Sequence, residues 1–458
     1  MVLAASTPPQ AASQRMATGA SETRVDAPAA GSVSRLNLFQ RMMLRWRLLH
    51  PYNPVHVVQI GAALDPRRLR LGIAARLEQR GLTGLWVSPD GRRFQFTGGP
   101  AEVQLESSPL PLDGTIEREL NRPFDTAGRQ NPFRFVAVGA PQGFHLVLAY
   151  DHFVAGGDSI VRLLTDIASG YLAPDAPATQ RLPAVAGSTY RSLLLRHPGW
   201  TLRAVLGLPR MAARVRRACR PPGMDSADAS NGFVRCQLGP AQLHALVAAG
   251  KAWGVSVNDL LLAALMLALA PLATSRQAHR QRNELAVASI LNMRKDFQGG
   301  AGAALSPFLA SFQVGHPVPE GIGLRELVAD VHAITAPIRS KRLYLRGILA
   351  LGLSALLWPM LTPQRQRGLF AKHFPVWGGV TALNLGAIWT EHDAQHTARL
   401  DYLRVVPTGP LCPLVLAATS VNGHMHLGIA YRKSVFDAGT MARLAQDMQR
   451  HLDLSCRD

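Results

Sequence analysis

A histidine at the end of an apolar run, followed by two glycines, is the arrangement in this chain best suited to proton transfer: Tyr150-Asp151-His152-Phe153-Val154-Ala155-Gly156-Gly157-Asp158. The preceding Phe144 to Tyr150 reads as a buried strand, and a helix is expected from about Ser159 to Ser169. His152 then sits on a tight turn between strand and helix, with its backbone held and its ring free to face a cleft. A neutral imidazole, with a reference pKa near ~6.5, accepts a proton at physiological pH. Gly156 and Gly157 let another chain segment or a substrate arm pass close by. A purely structural histidine fits the same run, so these residues alone leave both readings open.

Two more polar groups end apolar runs. Leu285 to Leu291, a buried-strand candidate, leads into Asn292-Met293-Arg294, and Val380 to Leu385 carries Asn384 just ahead of Gly386. Other features point away from chemistry. His424 and His426 share one face of a strand but lack a third ligand, so a solvated face is expected and no metal. Gly299-Gly300-Ala301-Gly302 has no lysine with which to cradle a phosphate. The cysteines Cys219, Cys236, Cys412 and Cys456 are scattered without a C-x-x-C pair, as in a reduced, cytoplasmic protein. Cys412, between Leu411 and Pro413, is expected to be buried and inert.

The elements that position these groups alternate between strand and helix. Val55 to Ile60 reads as a strand. Asp65-Pro66 starts a helix to about Arg80, and Pro89-Asp90-Gly91 turns a hairpin between Leu85–Val87 and Arg93–Phe96. In the second half, Phe233 to Leu238 is a strand candidate and Gly239 to Ala252 a helix. Ser256 and Asp259 form a capping box ahead of a long apolar helix. Leu403 to Val406, Val415 to Val421 and His424 to Tyr431 supply strands, and Phe436 to Leu452 a closing helix. This alternation predicts an α/β (α+β) fold in two halves: residues 1–35 a flexible leader, 36–180 an N-terminal lobe, 181–231 a basic crossover, and 232–458 a C-terminal lobe. The leader lacks the apolar core of a signal peptide, and Met16 offers a second start. Gly347 to Leu361 is shorter than the ~20 residues a spanning helix needs and reads as a buried or interfacial segment.

With 47% hydrophobic and 17% charged residues, a large core is expected. The formal charge of +19 favours anionic partners. Aromatics are only 6%, and no zinc-finger spacing or stacking-rich basic motif is present, which argues against nucleic acid.

The run around His152 resembles the H-H-x-x-x-D-G motif of nonribosomal peptide condensation domains, alcohol acetyltransferases and wax ester synthases, relatives of chloramphenicol acetyltransferase. His50-Pro51-Tyr52-Asn53, Val255 to Leu261, Leu291-Asn292-Met293-Arg294 and Leu383-Asn384-Leu385-Gly386 resemble further family segments in the family's order, over about residues 36–458. The resemblance implies two chloramphenicol-acetyltransferase-like lobes packed as a V around a central tunnel. His152 would be the catalytic base. The substrate would be acyl-CoA or an acyl group on a phosphopantetheine arm of an acidic carrier protein, with no permanently bound cofactor. The acceptor would be an alcohol or amine.

Asp151 stands where the motif has its first histidine, and Gly156 where it has aspartate. That aspartate normally pairs with an arginine, here Arg294. Asp158 either supplies the missing charge or merely caps the next helix. If it does not supply it, Arg294 is left for an anionic ligand, or the site is degenerate. Asn384 is either an oxyanion donor or a turn residue. The alternative readings are a non-catalytic protein that binds a carrier protein or partner, and a cytoplasmic enzyme with peripheral membrane contact through Gly347 to Leu361.

Overall fold

The computed structural model describes residues 33–125, 130–173, 190–278, 280–297, 305–388 and 400–455. Two sheets dominate. One is five-stranded, ordered Tyr402–Val405, Val55–Ile60, Gly143–Tyr150, Phe133–Ala140, Leu105–Ser107. The other is six-stranded, ordered Leu309–His316, Leu285–Asn292, Gly378–Asn384, Leu414–Val421, His424–Arg432, Asn231–Leu238. A small third sheet joins Ser34–Arg35 to the expected hairpin of Leu85–Val87 and Arg93–Phe96.

The strand Tyr402–Val405 comes from the second half of the chain but pairs antiparallel with Val55–Ile60, placing Arg404 opposite His56. Its residues alternate between two faces. Leu403 and Val405 join Val55, Val57, Val147 and Ala149 in an apolar cluster that reaches Phe233 and Ala430 of the six-stranded sheet. Tyr402 and Arg404 turn to the other face, where the Tyr402 hydroxyl lies 2.7 Å from Nδ1 of His56. Arg404 extends to the six-stranded sheet and donates to the carbonyls of Thr381 and Ala418 at 2.9 and 3.2 Å. The two halves therefore share both an apolar cluster and a strand.

Gly428 permits this approach. A Cβ there would lie 2.3 Å from the Arg404 carbonyl oxygen, so no other residue fits without moving the exchanged strand. His152 is placed by the helix Leu38–Trp46, whose start is a capping box between Asn37 and Gln40. Gln40 also donates to the Phe153 carbonyl at 2.8 Å, and Asn37 to that of Pro307 at 3.0 Å. One side-chain cap thus ties the helix to the histidine turn and to the second half.

Most expected elements are present within a few residues. Asp65 caps Pro66–Gln79 through the Arg67 and Arg68 N–H groups, and Ser256 with Asp259 caps Val257–Leu269. Four differences stand out. Ser34–Arg35, inside the stretch expected to be a flexible leader, forms a strand paired with Arg93 and Phe94. Among its described residues the crossover has three helices, Tyr190–Arg196, Pro198–Leu206 and Leu208–Arg217, where one was expected. The edge strand Leu309–His316 and the helices Leu324–Ser340 and Pro363–His373 were not expected. His426 is buried and lies 2.6 Å from Asp401, which corrects the expected solvated face; it shares its strand face with Gly428 and Ala430, the face that packs against the strand Tyr402–Val405. Met16, Gly299–Gly302 and Cys456 lie outside the described residues.

Gly428→Ala is expected to lower the unfolding free energy by about 1–3 kcal/mol through overpacking. Urea titration followed by fluorescence measures it, and the two halves should still unfold together.

Candidate active site

His152 follows Tyr150 out of the central strand and is buried, 6% exposed. Its ring lies between Tyr52 and Tyr150, at centroid distances of 5.3 and 6.0 Å. Burial pushes its pKa down to about 4; the backbone at His152 and Ala155 opposes this, while the Arg404 charge adds to it. The imidazole is therefore neutral at physiological pH, the form able to accept a proton. Nδ1 is buried and makes no well-formed hydrogen bond among the described residues.

Asp151, the residue before it, forms an ion pair with Arg47. Burial raises its pKa and Arg47 opposes the rise. The Arg47 guanidinium also sits over the Phe153 ring, 5.2 Å from its centroid. Asp151 thus anchors the turn beneath His152 from below.

Gly156 and Asp158 form a coupled exchange. The helix Gly157–Leu172 begins after Gly156, which occupies the N-cap position without a side-chain cap. Asp158, in the first turn, has Oδ2 2.7 Å from Nε of Arg294 and accepts from the Asn292 amide at 3.2 Å. Arg294 also donates to the Ser159 hydroxyl at 2.8 Å and to the Ser306 carbonyl at 3.1 Å. A Cβ on Gly156 would lie 2.9 Å from Oδ1 of Asp158 and 3.0 Å from Nη2 of Arg294. The space that a side chain at 156 would fill is taken by the carboxylate of 158 and its partner. Asp158 therefore does more than sit in the helix's first turn, and Arg294 has a protein carboxylate beside it.

Asn292 joins the same cluster; its side-chain oxygen accepts from the Arg294 N–H at 3.0 Å. Asn384 is exposed, and its oxygen accepts from the Gly386 N–H at 3.1 Å, a turn closing the strand Gly378–Asn384. That leaves its NH2 group as the only part able to donate to a ligand. Gly157 packs against a further pair: a Cβ there would meet the Arg404 guanidinium at 3.2 Å and the His56 ring at 3.7 Å.

His56 and Arg404 were not singled out from sequence. Burial, Arg404 and His152 together hold the His56 pKa well down. Burial also lowers that of Arg404, against the favourable influence of Tyr150 and Tyr402. No carboxylate lies within ion-pair distance of Arg404 among the described residues. The available signal was a tyrosine and an arginine alternating with apolar residues in Tyr402-Leu403-Arg404-Val405. His50 is a third buried neutral histidine, its pKa lowered to about 3 by burial and by Arg432, whose guanidinium lies 3.1 Å from Nδ1. Among the described residues, no three His, Cys, Asp or Glu side chains converge as a metal site.

Two sheets, the first of which takes one strand from the second half of the chain, form the fold of condensation domains. Solved structures show the same fold along nearly the whole chain. The epimerization domain from the third module of tyrocidine synthetase B is 14% identical with a TM-score of 0.63, covering 93% of this chain and 97% of that one. The first condensation domain of the CDA synthetase is 14% identical with a TM-score of 0.62, again over 93% and 97%. The cyclization-docking bidomain of EpoB from Sorangium cellulosum is 14% identical with a TM-score of 0.64, over 94% and 88%. No protein-family model and no curated protein matches the sequence. The similarity suggested by the sequence motifs thus extends to the whole fold.

Two predictions follow from this geometry. Asp158→Ala leaves Arg294 buried beside an empty space and should cost about 3–5 kcal/mol. Gly156→Asp forces a second carboxylate against the first and should also destabilise. The double variant Gly156→Asp/Asp158→Gly, which restores the common motif order, should recover most of the loss; denaturant titration of all three closes the cycle.

The second prediction concerns acid. His152 and His50 have folded pKa values of about 4 and about 3, below the unfolded ~6.5. The unfolded chain binds more protons, so the stability they contribute is complete above pH ~6.5 and is lost as pH falls through the folded values. Urea midpoints measured from pH 7.5 down to 4 should fall steadily below ~6.5, and His152→Gln should flatten that slope.

Proposed function

We propose that this protein is an acyltransferase that moves an acyl group from a CoA or carrier-protein thioester to a hydroxyl or amine, with His152 as general base. The observation that carries the reading is a neutral, buried imidazole on a fixed turn, beside an ion pair that locks this turn to the second half. Neutral His152 takes the proton from the acceptor's hydroxyl or amine as its oxygen or nitrogen attacks the thioester carbonyl. The tetrahedral intermediate collapses, the carbon–sulfur bond breaks, and the imidazolium returns the proton to the departing thiolate. No other reactant is needed, because the thioester is already activated.

The positive charge of Arg404 next to the histidine turn suits the oxyanion of that intermediate. A low histidine pKa also suits the role: the base is unprotonated at physiological pH and, once protonated, is a strong acid toward the leaving thiolate. The fold supports transfer chemistry without choosing the reaction, since similarly folded solved domains are described as condensation, epimerization and cyclization domains. Both donor types are anionic, in keeping with a charge of +19.

A second reading, a non-catalytic protein that binds a carrier protein or partner, is favoured by the 6% exposure of His152 and by Gly156 in place of the motif aspartate.

Thiol release from a panel of acyl-CoAs and acyl-carrier thioesters, with alcohol and amine acceptors, separates these readings. Acceptor-dependent release is expected, and His152→Ala should reduce it by about 10²–10⁴-fold. Release unchanged by the substitution would remove His152 from the chemistry. Silence across the panel with thioester binding intact would favour the binding protein.

A further inference from the structure

The crossover helix Pro198–Leu206 and the helix Leu345–Leu357 pack against one another, and each presents an apolar face to solvent. On the second, Leu353, Leu356, Leu357 and, one turn on, Met360 are exposed, with Leu356 at 75% and Met360 at 80%. Their spacing of three, four and seven residues puts them on one face. On the first helix, Leu202, Val205 and Leu206 repeat the pattern, with Leu206 at 69%. Monomeric soluble proteins scatter single exposed aliphatics but rarely align two stripes of them on adjoining helices.

The charged residues on the two helices themselves are of one sign. The sequence has no Asp or Glu between Asp175 and Asp225, nor between Asp330 and Glu391, the two stretches that contain these helices. Arg203 lies exposed on the first helix. The Arg346 guanidinium fills the space beside Gly207, where a Cβ would lie within 2.2 Å of it, at the carboxyl end of that helix. Arg210 and Arg214 of the next helix stand close enough to lower its pKa, after burial.

We infer that this face docks on an anionic lipid surface, with the leucine and methionine stripes immersed and the arginines paired with headgroup phosphates. This surface deepens the question of where the acceptor or donor is met, but it rests on different residues from the transfer reading and stands apart from it. Aliphatic side chains with arginines nearby, and no acidic residue in either stretch of sequence (Asp296 is tied up with Arg342 and Tyr344), suit an interfacial helix. A protein partner would more often be gripped by exposed aromatic anchors. Here the nearby aromatics are engaged: Trp358 is buried, and Trp200 is stacked between His197 at 3.7 Å and the Arg342 guanidinium at 4.1 Å. Among the described residues no single helix is long and apolar enough to cross a membrane; Leu345–Met360 reaches that length and composition only together with Leu324–Ser340, from which it is bent by 76°.

The test is flotation of the full-length protein with vesicles of phosphatidylcholine alone and of phosphatidylcholine with phosphatidylglycerol, comparing wild type with Leu356→Asp/Met360→Asp. Both substituted side chains are exposed, so circular dichroism and thermal unfolding should not change. Wild type is expected to float with the anionic vesicles only, and the double variant to lose at least about tenfold in partition while keeping thioester transfer on soluble substrates. Failure to bind anionic vesicles overturns the inference, and so does binding that the double variant retains. A dimer seen by light scattering and broken by the variant would assign the face to a second copy instead. Capture of an acidic carrier protein that the variant abolishes, with vesicles inert, would assign it to a protein; either result also overturns it.

Discussion

The contact between Asp158 and Arg294 is the constraint around which the site is organised. Both groups are largely withdrawn from water, at 18% and 7% exposure, and burying two charges costs several kcal/mol each. What offsets that cost is geometry: an N–O separation of 2.7 Å, with Asn292, Ser159 and the Ser306 carbonyl taking the remaining hydrogen bonds. The pair joins the first turn of the helix after His152 to a strand end in the other half of the chain. Gly156 is part of the same constraint, because only an absent side chain leaves room for the carboxylate two residues later. A carboxylate two residues after the glycine is thus sterically accommodated, and its charge reaches Arg294.

The shared strand makes the second contribution. Tyr402–Val405 places Arg404 and Tyr402 against His56, and Arg404 against the helix start at Gly157. Burial holds the imidazoles of His56 and His152 neutral, and Arg404, with no carboxylate within ion-pair distance among the described residues, acts in the same direction. The lobes' packing and the protonation state of the site are therefore linked: burial keeps His152 neutral, and the approach of strand to sheet that Gly428 allows brings Arg404, whose charge lowers its pKa further.

Much of this was legible in the sequence where local chemistry decides. Asp65-Pro66, the Ser256–Asp259 box and the Pro89-Asp90-Gly91 turn each satisfy orphan backbone groups within a few residues, and each element appears where its signal lies. The placement of His152 at the end of a buried strand was legible for the same reason. What was hidden depends on long-range contacts. Nothing in Tyr402-Leu403-Arg404-Val405 tells which sheet it joins, and Arg404 acquires meaning only opposite His56, nearly 350 positions earlier. The Gly156–Asp158 exchange was open because a helix's first turn and an ion pair make the same demand on an aspartate. His426 was misplaced because two histidines on one strand face carry no sign of whether that face meets water; Asp401, from the connecting segment, covers it. The helix at 345–357 is apolar on nearly every side, so which of its faces meets solvent emerged only from packing.

The most direct test of the central claim, that packing between the halves leaves His152 as an uncharged base, is histidine NMR on isotopically labelled protein, with His152→Gln to assign the signal. The account predicts a His152 ring that is neutral at pH 7 and titrates near pH 4, with the transition moving upward in Arg404→Leu. A His152 ring that titrates at or above its ordinary value, unmoved by loss of Arg404, would contradict it.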